Sequence, residues 1–284
     1  MRKRFKGKGR VGTQANLSGA IKGRRSVKEQ AKKQAKRRDV FHTQWQHLYD
    51  QCLDSGSRTR LLALREQFDR QKRGVSEPAQ VETEVALFMQ EAGFSVAFLE
   101  ESQTRTADLE CYLDNDRLFV EITAIVPSPS PRRDSWMAVS RENDEARFQD
   151  DLHQDILVRR LIARMAEKSR QLNRYCAPVL LAITVPTIEW LGEEKYGQEH
   201  VDLQRLAGLL SSALVTIPQL SAVLLTCWNL SAKPARSNIR LHNATWVARS
   251  EAETVLPRLR LLVTNTSGAY RLGEKEVLAL KTVL

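Results

Sequence analysis

The sequence predicts an α/β protein: a mixed β-sheet flanked by helices, preceded by a basic extension that is disordered at first and then helical. Three observations predict it. Helix-period and strand-period segments alternate along the chain beyond residue 76. Val179–Val185 (VLLAITV) and Leu220–Trp228 contain continuous apolar runs, as in strands buried on both faces. The 284 residues are 42 % hydrophobic and 27 % charged, an ordinary globular composition with ample length for a real core.

The elements follow in order. Residues 1–25 are rich in Gly, Lys and Arg and lack apolar periodicity, so they read as a disordered basic tail. Ser26, with Glu29 three residues on, is a helix N-cap signal that opens a helical extension over 26–75. Phe41, Trp45, Leu48 and Tyr49 recur at helical spacing there, and a second helix is expected over Ser57–Lys72 on Leu61, Leu64 and Phe68. The α/β domain then occupies 76–284. A helix over 79–92 ends at Gly93, a natural C-cap. Strands follow at Phe94–Leu99, Thr106–Leu113 and Arg117–Ile125, then a Pro/Ser-rich loop at 127–131. One long helix or two shorter ones cover 142–175, with Ile156, Leu157, Leu161, Ile162 and Met165 on the apolar side. Strand Val179–Val185, helix Asp202–Val215, strand Leu220–Trp228, strand Ile239–Val247 and a helix over Glu251–Val263 complete the series. The segment after Gly268 has no clear period.

Charge is unevenly placed. The net charge is +10, yet residues 1–38 hold 15 Lys or Arg against the single acid Glu29. That segment carries +14 and the remaining 246 residues carry −4. Such an arm neutralises phosphates and releases counterions, giving sequence-independent, salt-sensitive affinity for nucleic acid. The residues assigned to this contact are Arg2, Lys3, Arg4, Lys6, Lys8, Arg10, Arg24, Arg25, Lys32, Lys33, Arg37 and Arg38. No apolar run approaches the ~18 residues of a membrane span, and no apolar segment follows the charged N-terminus as in a secretory signal. Cys52, Cys111, Cys176 and Cys227 form no C-x-x-C pair, which fits reduced cysteines in a cytoplasmic protein. The five histidines form no metal-binding motif, and Trp190, Trp228 and Trp246 read as core or rim packing.

The most informative stretch is TADLECYLDNDRLFVEIT, residues 106–123. At a two-residue period, Ala107, Leu109, Cys111 and Leu113 share one face with Leu118, Val120 and Ile122 of the partner strand. The other face carries Asp108, Glu110, Phe119, Glu121 and Thr123. A two-residue turn at Asp114–Asn115 pairs Leu113 with Asp116, since Asp and Asn tolerate positive φ. Extending that register sets Asp108 opposite Glu121, with Cβ atoms about 5 Å apart. Facing carboxylates destabilise a sheet unless something compensates, and a divalent cation is one compensator.

This stretch resembles the PD-(D/E)xK nuclease superfamily, which includes restriction enzymes, Holliday-junction resolvases and RecB-like exonucleases. The residues that carry the resemblance are Ala107-Asp108, then Glu121-Ile122-Thr123 thirteen residues on, preceded by Glu82 ahead of Gly93-Phe94-Ser95-Val96. Glu84 competes with Glu82 as the first-helix acid. Gln171-Leu172-Asn173-Arg174-Tyr175 is similar to the Q-L-x-x-Y motif of RecB-like members, with Gln171 and Tyr175 expected on one helix face. The resemblance spans roughly residues 80–185. It implies a restriction-endonuclease-like fold and a Mg²⁺- or Mn²⁺-dependent nuclease acting on nucleic acid, DNA first. Asp108 and Glu121 are the implied metal ligands, with the Ile122 carbonyl as a third oxygen. Glu82 would orient water or bind a second ion, and Tyr175 would contact substrate. Ala107 replaces the motif proline. Thr123 replaces the motif lysine, and a hydroxyl cannot supply that charge. Lys168, one turn before Gln171, is the candidate for a lysine that has migrated to a helix. The alternative is a catalytically inactive nuclease-like protein that binds nucleic acid through its basic arm. Many members of the superfamily act as homodimers, although no interface is marked in this sequence.

Overall fold

The computed structural model describes residues 35–36, 38–52, 54–70, 76–99, 107–125, 146–185, 200–228, 230–233, 241–250 and 256–284, with backbone alone at 76–77, 146–156 and 200. The chain divides into two units, Met1–His42 and Thr43–Leu284. In the first unit the described residues are helical and Arg38 is exposed. The other residues assigned to the nucleic-acid contact, from Arg2 to Arg37, lie outside the described residues, as do the expected tail over 1–25 and the Ser26 N-cap.

The second unit is α/β, with a mixed seven-stranded sheet flanked by helices. Residues 43–51 are helical. Helix α1 (Ser55–Asp69) follows, capped by Asp54, whose carboxylate accepts the Ser57 N–H at 2.7 Å. That side-chain bond supplies one of the acceptors the first helical turn lacks, and it starts the helix two residues earlier than apolar spacing suggests. Helix α2 (Ser76–Glu91) stops at Gly93, which takes φ +88°. Only glycine enters that region without strain, so the C-cap reading holds.

Three antiparallel strands come next: β1 (Ser95–Phe98), β2 (Leu109–Leu113) and β3 (Asp116–Ala124). The β2–β3 register pairs Leu113 with Asp116 and Leu109 with Val120, as the turn chemistry requires, and Asp114 adopts φ +55°. Helix α3 (Ala146–Gln171) then leads to β4 (Val179–Val185), which lies parallel to β3. Short β5 (His200–Val201), helix α4 (Leu203–Val215), β6 (Ala222–Cys227), short β7 (Ser231–Ala232), β8 (Ala244–Ala248), β9 (Leu259–Thr264) and helix α5 (Glu274–Thr282) complete the unit. The sheet order is β1-β2-β3-β4-β6-β9-β8, while β5 and β7 form a separate parallel pair.

The core lies on both faces of the central strands. On one face Phe119, Leu181, Ile183, Leu225 and Leu261 pack with Leu161 and Met165 of α3 and Leu206 and Leu210 of α4. On the other face Leu118, Val120, Leu180, Ala182 and Leu224 are buried where α1 and α2 pack on the sheet. All seven residues of β4 and all six of β6 are buried, hence their unbroken apolar runs.

Two expectations fail. The helix expected over Glu251–Val263 is replaced, in its described part, by strand β9. Pro257 would sit inside that helix, where it removes a hydrogen bond and clashes with the preceding turn at a cost of about 3 kcal/mol. Leu259, Leu261 and Leu262 also bury opposite faces of one strand between β6 and β8. Of the strand expected over Ile239–Val247, residues 239–240 lie outside the described residues, 242–243 form a turn, and the strand itself is Ala244–Ala248. The unassigned C-terminal segment is helix α5, whose Glu276 side chain accepts the Gly273 N–H. Among the described residues no helix is long and apolar enough to cross a membrane. Cys52, Cys111 and Cys227 are buried free thiols, and Cys176 is exposed.

Candidate active site

The site is built where β2 begins and the middle of β3 passes it. The paired β2–β3 register ends at Leu109–Val120 and does not continue to a 108–121 pair. Instead the Asp108 N–H donates to the Val120 carbonyl at 3.0 Å, and the Asp108 carbonyl accepts the Leu99 N–H at 2.9 Å. The carboxylate of Asp108 then takes the place of a backbone acceptor: its Oδ2 accepts the Ile122 N–H at 2.7 Å. The register is displaced here because the side chain, not the main chain, meets the partner strand.

Glu121 shares its strand face with Phe119 and Thr123, the face covered by α3. Lys168, in the last turn of α3, donates from Nζ to Glu121 Oε1. The two side chains are 18 % and 6 % exposed. Chain separation hides this pair, since the two residues are 47 positions apart. Parallel β3–β4 pairing returns α3 across the sheet and brings its C-terminal turn over β3.

Glu82 is on α2 and is nearly buried. Arg60 of α1 holds it in a fork, Nε to Oε1 at 3.0 Å and Nη2 to Oε2 at 2.9 Å. Those side chains are 9 % and 8 % exposed. Glu84 points elsewhere. It accepts from Gln80 Nε2 at 2.6 Å and lines a small cavity with Phe88, Thr184, Thr226, Trp228 and Arg260. Of the two competing first-helix acids, Glu82 is the one whose charge acts on Asp108.

Burial raises the Asp108 carboxyl well above its ordinary range, and the charges of Glu121 and Glu82 raise it further. The Ile122 N–H and Lys168 act in the opposite direction. Glu121 is also raised, first by burial; Lys168 opposes that shift by hydrogen bond and charge, and Glu167 adds to it. Asp108 thus bears the charge of both other acids, and Lys168 opposes the shift at Asp108 and at Glu121.

Tyr175 lies beside this set but not on the helix. Helix α3 ends at Gln171, and the Tyr175 N–H donates to the Leu172 carbonyl at 3.2 Å in the turn that follows. The expected common helix face of Gln171 and Tyr175 is therefore absent. The turn lets the Tyr175 ring pack on Phe119 at 4.2 Å, and its hydroxyl accepts the Ala107 N–H at 2.7 Å. Tyr175 thus buttresses the residue before Asp108. Gln171 and Thr123 are half-buried, and among the described residues neither side chain forms a hydrogen bond.

No protein-family model, curated protein or solved structure matches this chain.

Among the described residues no group of three or more His, Cys, Asp or Glu is arranged to hold a metal ion. The smaller set of Asp108 and Glu121 is of the right type for a hard divalent cation, which takes carboxylate and carbonyl oxygens. Asp108 has a neutral N–H as its hydrogen-bond partner rather than a cation, and Glu121 has only one oxygen on Lys168. Sequence reasoning missed Arg60. The available signal was its position: it falls with Ser57, Leu61 and Leu64 on the buried stripe of α1, where a charge needs a partner.

Proposed function

We propose that this protein is a metal-dependent nuclease of the PD-(D/E)xK type, hydrolysing phosphodiester bonds of nucleic acid, with DNA the first substrate to test. The observation that carries the reading is the Lys168–Glu121 contact beside Asp108. The resemblance calls for a lysine where Thr123 stands, and Lys168 brings an ammonium to the same acid from α3. The element order also supports the reading: a helix, three antiparallel strands, a helix, then a strand parallel to the third. That is the arrangement expected of a restriction-endonuclease-like core.

Asp108, Glu121 and the Ile122 carbonyl would hold one Mg²⁺ or Mn²⁺. Such an ion, when bound, would supply a more acidic water and offset phosphate charge. The Ile122 N–H orients the Asp108 carboxylate. Lys168 supplies fixed positive charge where negative charge develops on phosphate, and such preorganised donors are worth most in a water-poor site. Gln171, one turn beyond Lys168, would contact the substrate or its water. Tyr175 sets the backbone at Ala107, and the basic residues of 1–38 hold the polyanion near a body that is itself negative. Buried free cysteines accord with a cytoplasmic setting.

A second reading is an inactive relative that binds nucleic acid without cutting it. Thr123 in place of the motif lysine favours it. Plasmid and oligonucleotide cleavage in EDTA, Mg²⁺ or Mn²⁺, with wild type and Asp108→Ala, separates the two. Cation-dependent cleavage lost in the variant supports the nuclease. Binding without cleavage under every condition leaves the second reading.

A further inference from the structure

Helix α3 carries a charge pattern that packing does not require. Over residues 157–174 the helix and the turn after it hold six Lys or Arg against the single acid Glu167, a local +5 in a body whose residues 39–284 carry −4. The cations are not spread evenly. Val158, Leu161, Met165, Ser169 and Leu172 form the buried stripe. One flank of that stripe is apolar, with Ile162 and Ala166 half-buried. The other carries Arg160, Arg164, Lys168 and Gln171 in succession, all half-buried, at steps of four, four and three residues that keep one line along a helix. This flank is the one turned toward the acids: Lys168 donates to Glu121, and the Ile122 N–H beside it holds Asp108. The helix dipole favours cations in the last turn, which accounts for Lys168 and Arg170. Arg160 and Arg164 lie three and two turns before the end of the helix, beyond that effect. Arg164 pairs with Glu167 at 2.9 Å, with side chains 34 % and 48 % exposed. An exposed pair of that kind is worth little and is readily exchanged for phosphate.

We propose that this flank is a phosphate track: one strand of nucleic acid runs along α3, with Arg160 and Arg164 holding successive phosphates that lead to the phosphate at Lys168. The inference rests on the nucleic-acid reading above and not on its metal. Four residues of helix advance about 6 Å, close to the separation of neighbouring phosphates on one strand, so each arginine meets a different phosphate. Arginine suits the task, because its fork meets phosphate oxygens in two bonds and its charge persists at any pH a protein survives. Contacts of this kind fix register and orientation without reading sequence. The basic residues of 1–38 can draw a polyanion to a body of net −4. Aligning one phosphate with Lys168 needs cations fixed on the same helix, as Arg160 and Arg164 are.

Binding of the full-length protein to a labelled DNA duplex, in EDTA and across a salt series, tests this without cleavage. R160Q/R164Q is expected to bind about tenfold more weakly at ~0.1 M salt, and the slope of log Kd against log salt should become shallower by roughly 2. R160K/R164K keeps both charges and should keep the slope. R159Q/R170Q removes the same charge from the exposed outer face of the helix and should change affinity by less than about threefold. An equal loss in R159Q/R170Q and R160Q/R164Q, or an unchanged slope in R160Q/R164Q, would overturn the proposal. If the double variant fails to fold, R164Q alone carries the test: a slope shallower by roughly 1 supports the track and an unchanged slope overturns it. A wild type that binds no DNA would instead remove the nucleic-acid reading, and this inference with it.

Discussion

Lys168 and Glu121, on a helix and a strand 47 residues apart, meet as an ion pair in which the acid is almost wholly buried. The contact joins the last turn of α3 to the middle of β3 and sets a positive charge next to the acid pair. Truncating the lysine should therefore have two effects. Lys168→Ala leaves the Glu121 carboxylate buried without its cation, costing roughly 1–3 kcal/mol of stability. Cleavage should fall about 10²–10³-fold, as when one preorganised charge-stabilising donor is removed. Urea denaturation and single-turnover cleavage measure the two separately. Unchanged cleavage in a folded variant would remove Lys168 from the mechanism.

Asp108 should cost the fold stability at neutral pH. Its folded pKa is raised above the ordinary 3.8, and that of Glu121 above 4.5. The folded state therefore holds these protons more tightly than the unfolded chain. The associated stability is complete below the unfolded values and is lost as pH rises through the raised folded ones. In EDTA, Asp108→Asn should be more stable than wild type at neutral pH by on the order of 1 kcal/mol. Its stability should also fall less steeply as pH rises from about 4 to 7. Asparagine can still accept the Ile122 N–H, so a stability loss at neutral pH would show that the carboxylate is not destabilising.

Tyr175 should act on geometry more than on charge. Tyr175→Phe keeps the ring against Phe119 but deprives the Ala107 N–H of its acceptor. The expected cost is about 1 kcal/mol. Cleavage should drop with it, because Ala107 adjoins Asp108. A thermal melt and a cleavage rate check this, and a rate loss without any stability loss would favour direct contact with substrate.

The basic arm should govern affinity and leave chemistry alone. Replacing Arg2, Lys3, Arg4, Lys6, Lys8 and Arg10 by Gln removes six positive charges. Binding to duplex DNA should weaken by on the order of 10²-fold at ~0.1 M salt, and the dependence on salt should become shallower. The cleavage rate at saturating substrate should hold. Filter binding across a salt series measures the slope, and an unchanged slope would place the nucleic-acid contact elsewhere.

Ser57 shows why the N-terminal helices belong with the sheet. Its hydroxyl accepts the Phe98 N–H at the end of β1, and the Trp45 indole N–H donates to the Leu61 carbonyl. Neither link follows from periodicity, because both join residues distant in the chain.

Local chemistry by itself determined much of this protein. Buried apolar runs specified β4 and β6, Gly93 ended α2, and the Asp114–Asn115 turn fixed the β2–β3 register, because each depends on neighbouring residues alone. The resemblance singled out Asp108, Glu121 and Lys168, and the fold joins the last two in an ion pair. Tertiary structure alone decided the rest. It paired Glu82 with Arg60, displaced the register at Asp108 and turned Tyr175 off its helix. It also made a strand of Leu259–Thr264, since a central sheet position buries both faces of that segment. The division has a physical cause: caps and turns are satisfied within a few residues, whereas a buried charge takes its partner from whichever element the packed fold brings to it.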